Sequence, residues 1–63
     1  MKITDRMNAI EGVDESFWDS NRARLVIYYL CSFPSDVIKV RVAKALSDAC
    51  LQDSVREITL FSV

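Results

Sequence analysis

The side chains here that could do chemistry are two cysteines, nine carboxylates and a scatter of hydroxyls, with no histidine among them. Nucleophilic catalysis needs a base beside the serine or cysteine, and the usual base is missing. Cys31 and Cys50 are too far apart for a paired metal-binding motif, and they read as small buried hydrophobes. Asp14, Glu15 and Asp36 stand where helix caps belong. The other carboxylates, from Asp5 to Glu57, follow no metal-cage spacing. One glycine, Gly12, cannot form a phosphate-cradling loop. A single domain spanning 1–63 also has little room to enclose a substrate. These absences predict a protein that is not an enzyme and takes no cofactor, metal or small-molecule substrate.

Binding is the chemistry that remains. Hydrophobic residues make up 51% of the chain, more than so small an interior can cover. Such a surplus marks a partner surface or self-association into a homodimer. Phe17, Trp18, Tyr28 and Tyr29 are the expected protein-binding anchors, with Phe33 and Phe61 as further aromatics. A net charge of −1 supplies no global positive field for nucleic acid or anionic lipid. No apolar run approaches the ~20 residues of a membrane span, and the first residues lack a secretory signal. The expected location is the cytoplasm.

The elements that must position these residues read mainly as helices. Gly12 and Pro34 are the only glycine and proline, and no Asn-Gly or Asp-Gly pair marks a hairpin. Ile3, Met7 and Ile10 recur at helical spacing over 3–11, and Gly12 suits the end of that helix. Asp14 opens a second start, and 19–24 is a polar link. The run 25–33 holds no charge, glycine or proline and must be the centre of the core. Arg22, Ala23 and Arg24 extend it with helix formers, and Pro34 stops it. From Val37 an amphipathic helix carries Val42, Ala43, Leu46, Ala49 and Cys50 on one stripe. Val55, Ile58 and Phe61 follow at three-residue steps. The expected fold is thus mainly α, a bundle of three to four short helices. The alternative is α+β, with strands at 25–33 and 55–63 paired in a dimer.

Residues 22–61 resemble the helix-turn-helix half of the winged-helix repressors of the metal-sensing and multidrug-resistance type. The resemblance rests on an apolar helix over 24–30 and a loop over 33–38. A positioning helix follows with Val42, Ala43, Lys44, Ala45 and Leu46, then a recognition helix over 52–58. The β-wing has no counterpart. The resemblance implies that Gln52, Ser54 and Arg56 enter a major groove while Lys39, Arg41 and Lys44 hold phosphates. Asp53 and Glu57 would make that surface nearly neutral. The leading expectation is therefore a small protein-binding adaptor or inhibitor, of a kind that suits phages and mobile elements. The alternative is a dimeric DNA-binding transcription regulator.

Overall fold

In the computed structural model, which describes residues 2–63, the apolar run at the middle of the chain is a strand. Among the described residues the order is α1 (Ile3–Asn8), β1 (Val13–Asp19), β2 (Arg24–Tyr29), α2 (Ser35–Asp48), a single 3-10 turn (Gln52–Ser54) and β3 (Glu57–Ser62). The sheet order is β1-β2-β3, with β1 antiparallel and β3 parallel to the central β2. The fold is α+β. This overturns the mainly α, helix-turn-helix-like bundle. The helical start at Asp14 falls in β1, the expected helix over 24–30 is largely β2, and that over 52–58 is one 3-10 turn leading into β3. The stretches 25–33 and 55–63 contain strands that pair with each other inside one chain, with no dimer needed.

The physical reason lies in β2. Val26, Ile27, Tyr28 and Tyr29 are β-branched or aromatic, types that fit a pleated surface better than a helix. Their unbroken apolar run hides the two-residue period because a central strand carries large side chains on both faces. Leu25 and Ile27 point to the helices and have no exposed surface. Met7 from α1 and Ile38, Val42 and Leu46 from α2 complete that core. Truncating one of these fully buried side chains to alanine would cost about 2–5 kcal/mol. Ser16, buried on β1 under α1, donates its hydroxyl to Asn8 Oδ1 at 2.8 Å, with the Thr4 carbonyl oxygen also within reach at 3.3 Å.

The hairpin turns without glycine. Asp19 Oδ1 accepts from the N–H groups of Asn21 (3.1 Å) and Arg22 (3.4 Å), and Ala23 takes a φ of 52°. A second left-handed residue, Cys50 at φ 57°, ends α2. There Leu51 N–H donates to Leu46 O (2.8 Å) and Cys50 N–H to Ser47 O (3.0 Å), the hydrogen-bond pair of a Schellman motif. Cys31 and Cys50 are both exposed, which corrects their expected burial.

Gly12 lies close against its neighbours, with φ at +98°. A β-carbon there would stand 2.6 Å from Ile38 Cδ1 and 3.1 Å from the Phe33 ring. Gly12→Ala should therefore lower the unfolding free energy by about 2–3 kcal/mol through clash and backbone strain. Cys50→Gly should raise it by about 1 kcal/mol, because glycine takes the left-handed conformation without steric cost. Urea melts of both variants check the two signs.

Candidate binding face of the sheet

Both helices have buried residues that join the β2 core on one side of the sheet, and the opposite side is open. The strand register sorts the side chains into three rows on that open side. Glu15, Tyr28 and Phe61 form one row, Phe17, Val26 and Thr59 the next, and Asp19, Arg24 and Glu57 the last. Phe17 meets Tyr28 edge to face, with ring centroids 5.7 Å apart and planes at 87°. Tyr28 stacks on Phe61 at 5.5 Å and 23°. A continuous aromatic band thus crosses all three strands. Phe17 stays 52% exposed and Phe61 49%, so about half of each outer ring meets water.

The band has an acidic border. Arg24 Nε donates to Glu57 Oε2 at 3.2 Å, and Asp19 stands opposite Arg24 on β1. Glu15 lies beside Tyr28 at the other end. Three carboxylates therefore share the face with one guanidinium, which is itself engaged. The surface suits apolar contact with a basic surround.

The four expected anchors divide between the two faces. Phe17 and Tyr28 lie on the open side. Trp18 and Tyr29, one residue along each strand, point to the helices and pack against the core. Phe33 also packs against the core, with the Arg41 guanidinium 5.5 Å from its ring centroid. Sequence reasoning left Val26 and Thr59 out altogether and named Phe61 only as a further aromatic. The missing signal was a period of two, which becomes visible only once β1, β2 and β3 are aligned.

The residues expected to touch DNA lie on several elements. Lys39, Arg41 and Lys44 are on α2, Gln52 and Ser54 in the 3-10 turn, and Arg56 in the link before β3. Arg41 donates to the Glu11 carbonyl oxygen at 2.8 Å, fastening α2 to the turn after α1.

A hollow of about 640 Å3 lies between α1, the outer part of β1 and the 3-10 turn, lined by Ile3, Trp18 and Leu51 with Lys2 and Ser54 among its polar members. Among the described residues, every buried side-chain polar atom has a hydrogen-bond partner, and no cluster of histidine, cysteine or carboxylate could hold a metal ion. No described helix is long and apolar enough to cross a membrane.

The two aromatic sets should respond differently to substitution. Phe17→Ser and Phe61→Ser should each cost about 1 kcal/mol, since those rings are already half in water. Trp18→Ala and Tyr29→Ala should each cost about 3 kcal/mol, because both leave space against the core. Urea denaturation followed by far-UV circular dichroism compares them.

No protein-family model, curated protein or solved structure matches this chain.

Proposed function

We propose that the protein is a small non-enzymatic binding module, an adaptor or inhibitor, whose working surface is the open face of its sheet. The observation that carries this reading is the half-exposed aromatic band Phe17–Tyr28–Phe61. Partly exposed aromatic side chains on a rigid sheet lose little conformational entropy on binding and offer large contact areas, which makes them natural interface anchors.

The partner is another protein. Glu15, Asp19 and Glu57 on the same face would repel a phosphate backbone, and a polyanion draws most of its non-specific affinity from cations. A protein surface with an apolar recess and lysine or arginine around it complements the band and its border. The exposed thiols of Cys31 and Cys50 suit a reducing compartment, in keeping with a cytoplasmic location.

Immobilised wild-type protein should retain one dominant partner from an extract of its own cells. The double variant Phe17→Ser/Phe61→Ser should lose that partner while keeping its far-UV spectrum. Lys39→Ala/Lys44→Ala, on α2, should retain it. Equal capture by the wild type and the aromatic variant would exclude the open face as the contact.

A further inference from the structure

The sheet has two outer edges, and the chain treats them differently. On β1 the edge carries Asp14, Glu15 and Asp19, and its register shifts between Val13 and Glu15. Charges and a bulge are devices that keep an edge from pairing with another strand. β3 has neither protection along most of its length. Residues 58–63 contain no charge, glycine or proline, and Ile58, Phe61 and Val63 are 38%, 49% and 57% exposed.

Its outward hydrogen-bonding groups follow from its inward ones. Glu57 N–H and Val63 N–H donate to the Ala23 and Tyr29 carbonyl oxygens, and Val63 O accepts from Cys31 N–H. Alternate residues of a strand aim their peptide groups to opposite sides. Glu57, Thr59, Phe61 and Val63 therefore face β2, while the N–H and C=O groups of Ile58, Leu60 and Ser62 face outward.

We propose that two copies of this chain join β3 to β3, antiparallel, about a two-fold axis at Leu60, making one six-stranded sheet. In that register Leu60 faces its own counterpart and Ile58 faces Ser62. All outward groups of the three residues are then satisfied reciprocally. Glu57 falls opposite Val63 instead of another Glu57, so the two Glu57 side chains stay apart. Thr59 falls opposite Phe61, which carries the aromatic band across the junction.

Hydrogen bonding, not area, favours edge pairing over a dimer made by stacking the two open faces. Six residues by three strands make each face roughly 20 by 14 Å, about 300 Å2. Two such faces pressed together would bury about 600 Å2 and leave the outward peptide groups of Ile58, Leu60 and Ser62 unpaired. Joined edge to edge, the faces add on one side of the sheet. The combined surface, about 600 Å2, approaches the ~800 Å2 per partner of an ordinary protein interface. The edge pairing itself rests on β3 and not on what the aromatic face binds.

Light scattering after size exclusion should give twice the mass of one chain. Amide exchange should show protection of Ile58, Leu60 and Ser62 that increases with protein concentration, against constant protection of Thr59 and Phe61. Ser62→Pro removes an outward N–H while leaving the ladder to β2 intact, and Ile58→Lys places a charge on the edge. Both should halve the mass with the far-UV spectrum retained. Three results would overturn the proposal: a single-chain mass for the wild type at every concentration, outward amides that exchange freely within a dimer, or a dimer that survives both edge variants. A dimer abolished by Phe17→Ser but not by Ser62→Pro would assign self-association to the open face instead.

Discussion

A three-stranded sheet has two faces, and the helices of this chain cover one. The rest of the structure follows from that constraint. The covered side takes most of the aliphatic residues, with Leu25 and Ile27 fully enclosed against Met7, Ile38, Val42 and Leu46 and with Trp18, Tyr29 and Phe33 packed around them. The other side carries rings. Phe17, Tyr28 and Phe61 cover part of one another in edge-to-face and stacked contacts, each adding about 0.5–1.5 kcal/mol beyond simple burial. Aromatic neighbours are thus one way for a small sheet to hold together where no second layer exists. The outer rings still keep about half their surface in water, and that residue of unburied area is what a partner could use.

The same arrangement explains what could be read in advance. α2 was legible because Val42 and Leu46 recur at helical spacing with Lys44 between them, and both face the core; Ile38 joins them there, whereas Ala43 and Cys50 of the expected stripe are exposed. α1 was legible too, although it stops at Asn8, short of Gly12. β2 was not. A strand loaded on both faces shows no alternation, and Arg22 and Ala23 before it are good helix formers that in fact sit in a turn. The hairpin was hidden as well. Its reversal relies on the Asp19 carboxylate and a left-handed Ala23, not on the Asn-Gly or Asp-Gly pair that usually announces a two-residue turn.

The candidate site was half legible for a related reason. Composition points to apolar residues beyond what the core can hold, and large hydrophobic side chains do lie exposed. Composition cannot say which ones. Adjacent residues on a strand face opposite ways, so Phe17 and Trp18 part company, as do Tyr28 and Tyr29. A helical reading turns neighbours by about 100° and so could not make that division cleanly. Phe61 joins the band only through the parallel pairing of β3 with β2, a contact set by topology and not by any local pattern.

That pairing also decides how firmly the last strand is held. At its start, the Ala23 carbonyl oxygen accepts from both Arg56 N–H (2.8 Å) and Glu57 N–H (3.3 Å), and Arg24 holds the Glu57 carboxylate. At its end, Val63 N–H donates to Tyr29 O (2.8 Å) and Val63 O accepts from Cys31 N–H (3.2 Å). Between these anchors, Leu60 packs against the core. A strand fixed at both ends and in the middle has already lost its backbone freedom, at about 1–2 kcal/mol per residue, within the folding of the chain. Ordering a loose segment would charge that cost against binding. Here the outward peptide groups of β3 stand in line before any partner arrives, so little of the hydrogen-bond energy gained at the edge would be spent on ordering β3 itself.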